Sequence, residues 1–139
     1  MAALTSINPP NTDNIFDGVK GIEWRTKPLP TGIHYCYETK NQGGVGKVIG
    51  EFTVWRVKRY ESASLVPEAE IDLGCVPKEF LMEYSKGKPI YANYIAKPKR
   101  YEKPRELSEF MRLRKTKFGY EPIKITRPPQ SWCYVEVLP

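Results

Sequence analysis

The sequence predicts an α+β domain: a small mixed β-barrel of about six strands, flanked by two or three short helices. Three observations lead there. The 139 residues, 40% hydrophobic and 27% charged, suit one soluble domain over 1–139 with a single core. Apolar residues alternate with period two in one segment after another, whereas only one stretch, Val76 to Gly87, has a clear helical pattern. The connections between these segments are uneven and rich in Gly and Pro.

Taken in order, Ala3 to Ile7 is a short strand. Asn8 is placed to cap a helix opening on Pro9 and Pro10, where a missing N–H costs nothing. Ile15 and Phe16 would face the core, and Gly18 suits a left-handed helix end just before Lys20. "GIEWRT" is a strand with Ile22 and Trp24 on one face and Glu23 and Arg25 on the other. "IHYCYET" is a second, with Ile33, Tyr35 and Tyr37 on one side. "KNQGGVGK" lacks the Lys-Ser/Thr ending of a phosphate-binding loop and is expected as a hairpin connection. Lys47 to Ser62 is a long strand. Val48, Gly50, Phe52 and Val54 point inward, then the apolar phase shifts to Trp55 and Val57, which predicts a bulge. Gly50 allows a close backbone approach.

Pro77 opens the clearest helix, Phe80, Leu81 and Tyr84 form its apolar stripe, and Gly87 ends it. "PIYANYIAKPKRY" follows as a strand and "KPRELSEF" as a short helix or turn. "RLRKTKFGYEPIKITRPP" is expected to be irregular, and "QSWCYVEV" to close the chain as a strand. No repeat or low-complexity linker interrupts the chain.

Several functional classes are disfavoured. No apolar run approaches the roughly 18 residues that span a bilayer, and "MAALTSINPP" lacks the pattern of a secretory signal. Three scattered cysteines, Cys36, Cys75 and Cys133, fit a reducing cytoplasm better than a disulfide framework, and Cys36 and Cys133 sit in strand patterns as buried thiols. His34 stands alone and no C-x-x-C pair occurs, so neither a metal site nor a cofactor is expected. The net charge of +6 is uneven: Lys97 to Arg127 carries eleven Lys or Arg against four Glu. That segment fits a polyanionic partner, nucleic acid first, or else a solvated basic loop.

Four stretches in this order resemble ASCH domains of the PUA-like superfamily, and among these the short ASCH-like proteins of bacteria and their phages. They are "INPPNTDNIFDGVKGIEWR" with its G-x-K-x-x-E-x-R pattern, "GKVIGEFTVWRV", "EFLMEYSKGKPIYANYI", and "YEKPRELSEF" through "RPPQSWCYV". The resemblance spans nearly the whole chain. It implies a small β-barrel with helices and a cleft at the G-x-K-x-x-E-x-R motif. It also implies RNA binding, with ribonuclease-like and acetylcytidine amidohydrolase-like branches. The amidohydrolase branch resembles G-x-K-x-x-T with a threonine nucleophile. Glu23 stands at that position here, and a carboxylate is a poor match for that attack.

Each candidate residue has a functional and a plain reading. Lys20 would hold phosphate, polarise a carbonyl or, if desolvated, act as a base; otherwise it is a surface cation near a helix C-terminus. Glu23 and Arg25 would contact a base edge and phosphate, or else form a structural ion pair. Gln130, Ser131 and Tyr134 would contact a base or phosphate, or else tie the last strand to a loop and fill the core, the plainer and favoured reading. Trp24 and Trp55 are expected in the core, while Trp132, beside the final motif, is also a candidate for stacking on a base.

The leading functional reading is a nucleic-acid-binding module, RNA preferred over DNA. Lys20, Arg25, Arg112, Arg114, Lys115 and Lys117 would meet phosphates, and the "GVKGIEWR" and "PPQSWCY" segments would hold one nucleotide. A metal-independent ribonuclease or hydrolase using Lys20 and Glu23 is the second reading. A phage-borne inhibitor whose basic face meets a host protein is the third.

Overall fold

The computed structural model describes residues 1–139. Its elements are β1 (Ala2–Ile7), α1 (Asn11–Phe16), β2 (Ile22–Arg25), β3 (Gly32–Glu38), β4 (Lys47–Tyr60), α2 (Glu68–Gly74), α3 (Lys78–Ser85), β5 (Ile90–Arg105), β6 (Met111–Thr116), β7 (Gly119–Lys124) and β8 (Trp132–Val135). All eight strands join one mixed sheet in the order β2-β5-β4-β3-β1-β8-β6-β7. Only β1 and β3 run parallel; the other pairs are antiparallel. No helix is long and apolar enough to cross a membrane.

The α+β expectation therefore stands, but the sheet has eight strands rather than about six, and it is open rather than a closed barrel. Both added strands come from "RLRKTKFGYEPIKIT", expected to be irregular. Charges interrupt the alternation there because neither face of the hairpin is buried against a core. Its register is local, with Thr116 opposite Gly119 across a two-residue turn, and Gly119 takes φ +117°. The edges resist closure for visible reasons. β7 carries Pro122, which cannot donate to a further strand, and β6 meets β8 only at Arg112 and Val135. At the other end β2 is four residues long, and the preceding Gly21 N–H donates to Leu73 of α2.

The bulge predicted near Trp55 is present: the β4–β5 register shifts between Val54 and Arg56, and also at two earlier points on β4. These shifts curl the long strands. The shift turns Trp55 out of the core, against expectation, leaving it 56% exposed with its ring 5.5 Å from that of Tyr94. Gly50 allows the expected close approach, since a Cβ there would stand 2.5 Å from the Lys99 carbonyl and 2.6 Å from the Phe16 ring.

Other local expectations shift as well. The first helix begins at Asn11 behind Pro10, and Asn8 does not cap it; its side chain accepts instead from Thr39 and Asn41. Ile33 is exposed while Tyr35 and Tyr37 are buried, because β3 extends past β1 at that end and is paired there with β4 alone. "KPR" extends β5, and only Leu107–Glu109 forms a 3-10 turn, closed by reciprocal bonds of Glu106 and Glu109. Helix α2, which sequence patterning did not single out, is short and buries only Ile71 and Gly74.

Three apolar clusters make the core. Ile22, Trp24, Tyr60, Leu81, Ile90 and Ala92 join the β2–β5–β4 face to α3. Leu4, Tyr35, Tyr37, Val48, Phe110 and Val135 fill the space around β1 and β8. Ile7, Ile15, Leu29, Cys36, Phe52 and Val54 lie beneath α1. Cys36 is buried as expected, whereas Cys133 is only half-buried, since it lies on the short strand next to the protruding hairpin.

Candidate functional site

Lys20 is set by the turn between α1 and β2. Gly18 takes φ +78°, a conformation that suits glycine, and the Val19 and Lys20 N–H groups both donate to the Asn14 carbonyl. The side chain then enters the protein, leaving Lys20 only 3% exposed. Its Nζ donates to the Gly74 carbonyl at the end of α2, where the helix dipole favours a cation. The Glu23 carboxylate lies 3.7 Å away. Burial pulls the Lys20 pKa below its ordinary value, and Glu23 opposes part of that shift.

Glu23 is held from its other side by Arg25. Arg25 Nε donates to Glu23 Oε2 at 3.0 Å, and a guanidinium nitrogen lies 2.9 Å from the same oxygen. That guanidinium also donates to the Ser6 carbonyl at 2.9 Å and to Ser131 Oγ at 3.1 Å. Ser6 N–H donates to the Ser131 carbonyl, and Ser6 Oγ to the Pro129 carbonyl. Arg25 thus links edge strand β2 to β1 and to the segment leading into β8, bringing the two motif segments together.

The result is a row of lysine, carboxylate and guanidinium along one side of a cleft of about 290 Å³. The lining also includes Asn8, Asn11 and Gln130, and Phe80 and Tyr84 of α3. Those two rings lie nearly parallel, 12° apart with centroids 6.3 Å apart, and are 57% and 41% exposed as residues. Of the apolar stripe Phe80, Leu81 and Tyr84, only Leu81 is buried in the core. The i, i+4 spacing marks a common face but does not say what that face meets. Trp24 forms part of the inner wall, and its indole N–H is buried without a partner against Gly74.

The remaining candidates are dispersed. Gln130 lines the cleft, and Ser131 reaches it through Arg25. Trp132 is half-buried against the Ile7–Phe52 cluster. Tyr134 packs edge-on to Trp132 at 4.9 Å and to Tyr120 at 6.2 Å. Arg112, Arg114, Lys115 and Lys117 lie on the β6–β7 hairpin and none lines the cleft. Arg114 is paired with Glu121. His34 is a satisfied core residue: Nε2–H donates to the Pro30 carbonyl and Nδ1 accepts from Thr5, each at 2.6 Å. The residues that patterning did not attach to the site are Ser6, Asn8, Asn11, Gly74, Phe80 and Tyr84. Their side chains or carbonyls meet it only through the packing of α1 and the loop before it, α2, α3 and β1.

No protein-family model matches the chain, and no curated protein sequence matches it. Its structure is similar to that of the ASCH protein from Zymomonas mobilis, with TM-score 0.67 and 19% identity over 97% of this chain and 87% of the other. A serine-to-alanine variant of that protein matches with TM-score 0.67 and 18% identity, covering 97% of this chain and 88% of the other. A tyrosine-to-phenylalanine variant matches at 0.66 and 19%, covering 97% and 90%. The chain has an ASCH-type fold.

Proposed function

We propose that this ASCH-type domain binds single-stranded nucleic acid, RNA in preference to DNA, and holds one nucleobase in the Lys20–Glu23–Arg25 cleft. The observation that carries the proposal is the pairing, in one cleft, of that charged row with the exposed Phe80 and Tyr84 rings. The dimensions fit a base or nucleoside, at the small end of ligand pockets, which begin near about 300 Å³. Glu23 accepts from an exocyclic amine or ring N–H, Gln130 and Asn8 read a second edge or a ribose hydroxyl, and an aromatic ring supplies a stacking surface.

The test is titration of mixed-sequence RNA and DNA oligonucleotides against the protein and its Phe80→Ala and Tyr84→Ala variants. Both rings are exposed enough for the fold to survive their loss. Stacking is worth about 1–3 kcal/mol per base, so the variant that loses the stacking ring should bind about fivefold to about 150-fold more weakly. Unchanged affinity in both variants, or affinity insensitive to salt, would refute this mode of binding.

A second reading has its own observation: Lys20 is a buried amine with a lowered pKa beside a carboxylate. Such a pair suits proton transfer in a nuclease or hydrolase. RNA cleavage that disappears in a folded Lys20→Met variant would establish it, and intact RNA after prolonged incubation with the native protein would dismiss it.

A further inference from the structure

Beside the cleft, and sharing Gln130 with it, runs a groove of about 780 Å³ between the base of the β6–β7 hairpin and the Pro128–Cys133 segment. Three cations line it, Arg112, Lys124 and Arg127, and no carboxylate does. All three are exposed, and none is held in an ion pair; the salt bridge on this hairpin belongs to Arg114 and Glu121. Some cations outside the groove are neutralised, as where Lys47, Arg100 and Arg105 each meet a carboxylate within 3.2 Å. A concave track with three uncompensated cations, opening from the lip of a base-sized cleft, has the charge and the continuity to follow a phosphodiester backbone.

Resting on the base-binding reading above, we infer that the ligand is a polynucleotide strand whose backbone leaves the cleft past Gln130 and runs along the Arg112–Lys124–Arg127 groove. A free nucleoside or mononucleotide fills only the cleft. Arg112 takes its place here as a phosphate contact. Lys124 and Arg127 join it, although sequence reading assigned that role further out, to Arg114, Lys115 and Lys117. The half-buried Trp132 lines the groove floor and offers an apolar surface beneath the strand.

The experiment compares mixed nucleoside monophosphates with mixed-sequence RNA from two to about eight nucleotides, a length within known single-strand footprints. The protein and an Arg112→Gln/Lys124→Gln/Arg127→Gln variant are titrated with each at several salt concentrations. Affinity of the native protein should rise with length. The variant should bind monophosphates as the native protein does, lose most of the gain with length, and show a salt slope smaller by about two, from roughly 0.7 per phosphate contact. Affinity independent of length would overturn the groove while leaving the cleft standing, as would a variant that keeps the full gain. Binding of neither monophosphates nor RNA would overturn both readings. Displacement of RNA by polyglutamate at equal charge concentration would also refute the track, marking a surface for acidic chains in general.

Discussion

Glu23→Gln tests the charged row most directly. Glu23 stands between Lys20 Nζ at 3.7 Å and the Arg25 guanidinium at 2.9 Å. Its replacement by an amide of the same shape removes the charge while retaining an acceptor oxygen. At an effective dielectric near 20, a pair at 3.7 Å interacts by about 4 kcal/mol. Arg25 shares the carboxylate, and the Gln oxygen still accepts a hydrogen bond, so roughly half of that belongs to Lys20 alone. In the native background the substitution leaves the buried Lys20 ammonium with neutral acceptors and no countercharge, and should cost about 3 kcal/mol. In a Lys20→Met background no buried ammonium remains, and the same substitution should cost about 1 kcal/mol. The coupling in the double-mutant cycle is then about 2 kcal/mol, within the range for contacting charges. Urea unfolding of the four proteins measures it. A coupling below about 0.5 kcal/mol would show that Lys20 and Glu23 do not act as a pair, and the electrostatic account of the cleft would fail.

Three other outcomes are expected. The lowered Lys20 pKa means that the unfolded chain holds a proton which the folded chain releases between its depressed pKa and the ordinary 10.5. The stability of the native protein relative to Lys20→Met should therefore rise with pH through that window and level off above it, as urea midpoints will report. Burial also lowers the His34 pKa below 6.5. This single histidine should stay neutral in NMR titrations as pH falls through 6.5, and its contribution to stability should decline below that value, because the unfolded chain protonates first. Gly74→Ala would set a Cβ 1.9 Å from the Trp24 indole nitrogen, and Gly50→Ala one 2.5 Å from the Lys99 carbonyl. Each should lower stability by about 1–3 kcal/mol or more by denaturant unfolding, and Gly74→Ala should also shift Trp24 fluorescence.

Much of this architecture is legible in the sequence because its causes are local. Period-two alternation sets the inward faces of β2 and the first half of β4, and the phase change after Val54 marks the bulge. Gly18 announces a left-handed turn, and Pro77 the start of α3. The concentration of cations between Lys97 and Arg127 needs no structure to be seen. The β6–β7 hairpin escapes the same logic, since it buries no residue fully and its apolar alternation, Met111 with Leu113 and Ile123 with Ile125, is too short and too charged to stand out.

Tertiary structure alone decided the rest. Open rather than closed, the sheet ends where short β2 meets α2 and where Pro122 interrupts the outer edge of β7. Trp55 faces solvent because a register shift, not a residue preference, turns it outward. The cleft exists because Arg25 reaches Ser131, 106 residues further along the chain, while Lys20 reaches the Gly74 carbonyl, 54 residues away. A residue's neighbours in sequence determine its local conformation and the face it presents. Which distant backbone group satisfies a buried charge is chosen only when whole elements pack, and that choice placed the cleft beside a cationic groove.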